Sequence, residues 1–192
     1  KVPVLRTLAK RYQDIALDET LQLLKSRIHE ERLLSLLILI LKYHKGNSSD
    51  KEKIFKTYLN HAKYINNWDL VDVTAKHIIG AFLKDKDRAP LYKLARSNSL
   101  WERRIAILST FHFIENNDFE DTIKIAEILI SDQHDLIHKA VGWMLREVGK
   151  RDMDCEERFL RKCYTAMPRT MLRYAVERFP ERKRQAYLQG TA

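Results

Sequence analysis

The chain has 192 residues, 45% of them hydrophobic and 32% charged, a balance that supports a buried core and excludes a disordered chain. Five glycines and four prolines are too few for an all-β fold built on tight turns. Thirty-five Lys and Arg against 26 Asp and Glu give a net charge of +9, which points to a polyanionic partner, nucleic acid before membrane. No apolar run approaches the roughly 18 residues that span a bilayer, no secretory signal pattern is present, and a cytoplasmic location is expected.

The apolar residues recur with a helical period throughout, and no alternating run reads as a strand. A short amphipathic segment is predicted over Thr20–Arg27 and a strong one over Glu30–Lys45, the latter closed by Gly46 and a turn cluster of Asn47, Ser48, Ser49 and Asp50. Lys51–Ala62 follows. Asn67 reads as the N-cap of a helix that starts at Trp68, carries Asp69 in its first turn and runs to about Lys84 with a bend near Gly80. Pro90 sits in the first turn of a helix ending near Arg96. Beyond the loop of Ser97, Asn98 and Ser99 come Leu100–Glu115, Phe119–Ile130, Leu136–Gly149, Cys155–Thr165, Pro168–Phe179 and a segment after Pro180.

These helices form short-loop pairs. Blocks beginning at Arg32, Asp69, Arg104, Lys139 and Thr170 recur every 31–37 residues, near the period of HEAT-type repeats. The expected fold is all-α, a HEAT-like α-α superhelix, a solenoid of about five antiparallel helix pairs forming a single domain over residues 1–192.

Some side chains do not suit a core. In Leu136–Gly149, Leu136 or Ile137, with Ala140, Val141, Met144, Leu145 and Val148, make the packing face, leaving Lys139, Trp143 and Arg146 on a neighbouring stripe. Gly142 should leave room beside Trp143 for a bulky ligand. In the helix after Asn67 the packing face is Leu70, Val71, Thr74, Ala75 and Ile78, and Trp68 and Asp72 share another side at i, i+4. An aromatic face one turn from a carboxylate suits a cation. The alternative is plain: Trp68 as a core staple, Asp72 as a surface charge, Trp143 packed on a neighbouring helix. Trp101, Ile105, Leu108 and Phe111 read as packing residues, with Arg103 and Arg104 offering a side chain to phosphate. Arg169, Arg173, Arg178, Arg182, Lys183 and Arg184 make a dense basic region, a solvated face unless the repeat turns it toward a partner. His134 and His138 have metal-ligand spacing but no third ligand; Cys155 and Cys163 have neither zinc nor redox spacing. No metal and no cofactor is expected.

The blocks Lys1-Val-Pro-Val-Leu-Arg-Thr-Leu-Ala-Lys, Asn67-Trp-Asp-Leu-Val-Asp, Leu100-Trp-Glu-Arg-Arg-Ile-Ala-Ile-Leu and Lys139-Ala-Val-Gly-Trp-Met-Leu-Arg-Glu resemble those of the AlkD family of bacterial DNA alkylation-repair glycosylases. The last block is the most specific. The resemblance implies an all-helical HEAT-like superhelix that hydrolyses the N-glycosidic bond of N3- and N7-alkylated purines in double-stranded DNA, without flipping the base. It implies Trp68 and Trp143 as catalytic-site tryptophans, Asp72 as the catalytic carboxylate and Arg104 as a phosphate contact. Lys139, Arg146, Arg169 and Arg173 complete the expected DNA-binding set. No lysine is placed for Schiff-base chemistry, so a monofunctional, monomeric enzyme in the bacterial cytoplasm is expected. The family's upstream helices help complete its DNA cleft, and this chain is expected to begin after them. The competing expectation is a non-catalytic HEAT-like scaffold that binds DNA or protein.

Overall fold

A computed structural model describes residues 2–192; Lys1, the first residue of one block above, lies outside them. Every regular element among the described residues is helical. Contacts divide the chain into two compact units, the first ending at Lys86 and the second spanning Asp87–Ala192.

The first unit is built around α3 (His29–Lys45), against which α1 (Val2–Arg11), α2 (Leu17–Leu24) and α4 (Ser48–Asn60) all pack. That explains why Leu33, Leu36, Leu37, Ile38 and Leu39 are all buried, since a helix covered on several sides needs apolar residues nearly all round. Ser35 interrupts this run at no cost, because its buried hydroxyl donates to the Thr20 carbonyl at 2.7 Å. The polar cluster after Gly46 is not a free turn. Asn47 Oδ1 accepts from the backbone N–H of Ser49 and Asp50, and Asp50 accepts from the Asn47 N–H, so the cluster is the capped start of α4. Phe55 of α4 stacks on Phe82 at 4.3 Å.

The long helix expected after Asn67 is broken. α5 covers only Trp68–Asp72; a turn at Val73–Thr74 leads to a π-helical turn (Lys76–Gly80) and the short α6 (Ala81–Leu83). Thr74 lies at the break. Its hydroxyl donates to the Leu70 carbonyl at 2.6 Å, diverting that acceptor from regular helix pairing, and accepts from the buried Tyr58 hydroxyl at 2.7 Å.

The second unit contains α7 (Ala89–Ala95), α8 (Leu100–Ser109), α9 (Phe111–Ile114), α10 (Glu120–Leu129), α11 (Asp135–Gly149), α12 (Met153–Cys163), α13 (Arg169–Ala175) and α14 (Glu181–Gln189). The Leu100–Glu115 segment is two helices, because Ser109 and Thr110 turn their hydroxyls back onto the carbonyls of Ile105 and Ile107. Arg88 ties the start of α7 to Asp118 at 2.7 Å and to Asp121, with its guanidinium 3.9 Å from the Phe113 ring centre. α11 is the hub, packed by α8, α10, α12 and α13. On its predicted face Ile137, rather than Leu136, is fully buried together with Ala140, Val141, Met144, Leu145 and Val148. Cys155 and Cys163 are free thiols.

Candidate functional site

In the first unit, Asn67 Oδ1 accepts the Trp68 N–H at 2.7 Å and caps α5. The cap fixes where the helix starts and therefore which residues share a face. Leu70 and Val71 point inward and are fully buried. Trp68 points outward, 53% exposed, which rules out the core-staple alternative. Asp72 stands one turn on, partly buried. The other carboxylate of this helix is committed elsewhere: Asp69 Oδ2 meets His29 Nε2 at 2.7 Å, tying α5 to the start of α3. Asp69 is thus held in an ion pair, and Asp72 is the carboxylate one helical turn from the exposed indole.

Beneath α5 lies the Tyr58–Thr74 hydrogen bond. Burial, and secondarily the negative charge of Asp72, raise the Tyr58 hydroxyl pKa, so the phenol stays protonated as the donor. Val73 and His77 line a groove of about 340 Å³ with Arg6, Lys10 and His44 around an apolar floor that includes Leu37 and Leu41. This basic rim faces Val73, the residue after Asp72, and escaped sequence reasoning: Arg6 and Lys10 lie in the first family-like block with no role read from it, and they reach the groove only through the packing of α1 on α3.

In the second unit, Trp143 is partly buried on α11. Its ring meets the edge of Phe111 with centroids 5.8 Å apart, and its indole N–H donates to Glu147 Oε1 at 3.2 Å. Phe111 is therefore an aromatic neighbour of Trp143 rather than one of the fully buried packing residues. Gly142 does not leave space for a ligand. A Cβ there would sit 2.4 Å from the Met171 carbonyl oxygen and 2.5 Å from Tyr174 Cβ, so the glycine exists to let α13 approach α11.

The cations behave differently from one another. Arg104 is buried, 4% exposed, and donates to the Leu136 carbonyl in the first turn of α11. A guanidinium on that face of α8 has a backbone acceptor within reach and packs beneath α11, so Arg104 is not presented to solvent. Arg103 is likewise structural, donating to Asp132 at 2.6 Å and to the carbonyls of Ser97 and Asn98. Lys139 pairs with Asp135 at 2.6 Å, and Arg146 pairs with Glu177. Arg169 donates to the Leu188 carbonyl, and Arg173 is exposed on α13. His134 and His138 serve the start of α11: the His134 ring accepts the Leu136 N–H at 3.1 Å, and His138 Nε2 lies 2.5 Å from the Asp132 carbonyl.

The structure thus brings Trp68 and Asp72 together on α5, and gathers Trp143, Lys139, Arg146 and Arg104 on or against α11. No helix among the described residues is long and apolar enough to cross a membrane.

Among solved structures, the fold is similar to that of a predicted DNA alkylation repair enzyme from Enterococcus faecalis, at 15% identity and a TM-score of 0.68, covering 91% of this chain and 82% of that one. It is also similar to AlkD2 from Streptococcus mutans, at 18% identity and a TM-score of 0.64, covering 92% and 89%. No curated protein matches the sequence. The family model described as "DNA alkylation repair enzyme" matches residues 1–179, and the chain belongs to that family.

Proposed function

We propose that the protein is a monofunctional DNA glycosylase that hydrolyses the N-glycosidic bond of N3- and N7-alkylated purines in double-stranded DNA. The observation that carries this reading is Trp68, a half-exposed indole one turn from Asp72 on a capped helix. What marks Trp68 is not its exposure alone but its place one turn from a carboxylate, where an open ring face suits a cation.

The chemistry suits that pair. Alkylation at N3 or N7 makes the purine cationic, so its departure needs no strong general acid. The bond from the sugar carbon to the base nitrogen breaks, and the electron pair leaves with the base and neutralises it. Positive charge develops on the deoxyribose. Asp72 stabilises that charge electrostatically and orients the water whose oxygen bonds to the sugar carbon as its proton is released. Trp68 and Trp143 offer ring faces to the cationic sugar and base, at about 0.5–2 kcal/mol each. Lys139, Arg146, Arg169 and Arg173 engage phosphates without reading sequence. Arg104 acts indirectly by anchoring the first turn of α11. The lesion stays in the duplex rather than entering a closed pocket, and the protein works as a monomer.

The test is release of free 7-methylguanine or 3-methyladenine from methylated duplex DNA. Asp72→Asn and Trp143→Ala should slow single-turnover excision by about 100-fold or more while DNA affinity changes less than about threefold. Equal excision by the variants and the wild type refutes the assignment. Salt-sensitive DNA binding with no base release would instead identify a binding scaffold.

A further inference from the structure

We propose that Glu147 is a positioning residue that fixes the plane of the Trp143 indole through its ring N–H. The inference rests on the glycosylase reading for its effect on rate, and on geometry alone for its effect on the ring. The indole is held from two directions. Phe111 presses on the ring system with planes inclined by 64°, and Glu147 Oε1 accepts the N–H at 3.2 Å. A lateral aromatic contact and a hydrogen bond at the pyrrole edge together restrain both side-chain torsions of Trp143.

Glu147 is itself immobilised. It is 6% exposed, and an ionised carboxylate that deep is costly unless paired. Lys150 Nζ lies 2.6 Å from Oε1, the oxygen that also takes the indole N–H, and Arg151 reaches Oε2 at 3.4 Å and the Glu147 carbonyl at 3.0 Å. Burial alone would raise its pKa, but Lys150, the indole N–H and the charge of Arg146 more than offset this and hold it below the ordinary carboxylate range. The acceptor is therefore charged throughout the neutral range. A helix needing only ordinary i, i+4 support would place such a glutamate in solvent. Here the carboxylate lies against the indole, and both cations that fix it come from the next turn of the same helix end. The chain Lys150/Arg151–Glu147–Trp143 delivers the rigidity of the α11 terminus to the ring face offered to the substrate.

The test combines a double-mutant cycle with spectroscopy. Glu147→Leu keeps buried volume but removes the acceptor; Glu147→Gln keeps a carbonyl oxygen for the indole. Glu147→Leu is expected to slow single-turnover excision of 7-methylguanine by about 10- to 100-fold with DNA affinity within about threefold, and Glu147→Gln to restore most of the rate. In a Trp143→Phe background, which has no N–H to hold, Glu147→Leu should add less than about twofold. An equal slowing in both backgrounds, or no slowing at all, overturns the proposal. The optical readout needs no catalysis. In a Trp68→Phe/Trp101→Phe chain only Trp143 emits, and Glu147→Leu should red-shift that emission and flatten its near-ultraviolet circular dichroism, with Glu147→Gln retaining both. An unchanged spectrum refutes the positioning role even if the wild type releases no base, the outcome that refutes the glycosylase reading instead. Should Glu147→Leu fail to fold, Lys150→Gln, which frees the carboxylate without emptying the site, is expected to shift the same spectrum in the same direction, and an unchanged spectrum there overturns the proposal.

Discussion

Glu156 gives the second unit an unusual dependence of stability on pH. The residue is 1% exposed on α12, its Oε1 has no hydrogen-bond partner, and its carboxyl packs so closely on Gly149 of α11 that a Cβ there would lie 1.7 Å from Oε2. Burial pushes its pKa up to about 9 from an ordinary 4.5; neighbouring Glu157 adds to the rise, and Arg146 opposes it. The folded state thus binds a proton that the unfolded state releases above pH 4.5. The contribution to stability is full below that pH and is lost progressively as pH rises toward 9. At about 1.4 kcal/mol per pH unit, the loss between pH 5 and pH 8 has an upper bound of about 4 kcal/mol. Glu156→Gln carries no titrating proton. Its amide brings its own unsatisfied donors, at about 1–3 kcal/mol, but that cost does not change with pH. The diagnostic quantity is therefore the difference between variant and wild type, which should swing in favour of the variant by about 2–4 kcal/mol from pH 5 to pH 8. Urea denaturation at 25 °C across that range measures it. A difference that stays flat refutes the buried, protonated carboxyl.

Three further substitutions probe the scaffold around the candidate residues. Gly142→Ala sets a Cβ against the Met171 backbone oxygen, which cannot swing away as a side chain can, so a loss of about 1–3 kcal/mol should outweigh any gain in helix propensity and lower the melting temperature by several degrees; a variant as stable as the wild type would show that the two helices are not in close approach. Asn67→Ala removes the cap of α5 and should cost about 1 kcal/mol, read as faster amide exchange at Trp68–Asp72, with slower excision if that helix carries the chemistry. Tyr58→Phe deletes the hydroxyl that Thr74 accepts and should cost about 1 kcal/mol in thermal denaturation, and no change would mean that the bond adds nothing at the break after α5.

Much of the helical layout can be read from periodicity and caps, and the discrepancies have local causes. Asn67 acts as the N-cap that its side chain predicts, and Ser99, read as loop, caps α8 in the same way. Asn47–Asp50 misleads because the same residues that make a turn also make a capping box, and only the hydrogen bonds tell them apart. The breaks at Thr74 and Thr110 are invisible to periodicity, since a threonine returning its hydroxyl to a carbonyl leaves the apolar spacing intact. At the candidate residues, the exposure of Trp68 follows from the i, i+4 reading of α5. The surroundings of Gly142 and Arg104 do not follow from anything local. An open glycine and one pressed by a neighbouring helix look alike in sequence, as do an arginine in solvent and one beneath α11. Glu147 lies inside the most specific motif, four residues after Trp143, yet its role depends on burial, which spacing alone does not give.

The net charge of +9 is a poor guide to which cations hold DNA, because those beside Trp143 are already engaged. Lys139 is 41% exposed and pairs with the half-exposed Asp135 one turn away. Such a pair is worth about 0–1 kcal/mol, so a phosphate can displace the carboxylate at little cost. Arg173 is exposed on α13 and reaches a phosphate more cheaply still. Arg104 is the opposite case: moving its guanidinium to a phosphate would strip the hydrogen bond from the Leu136 carbonyl and expose the packing beneath α11. The consequence is measurable. Lys139→Gln and Arg173→Gln should each reduce the slope of log affinity against log salt by about 1, uniformly across DNA sequences. Arg104→Gln should leave that slope nearly unchanged while lowering thermal stability. If Arg104→Gln instead reduces the slope without loss of stability, the guanidinium leaves its buried position to meet the backbone, and α11 must move to let it out.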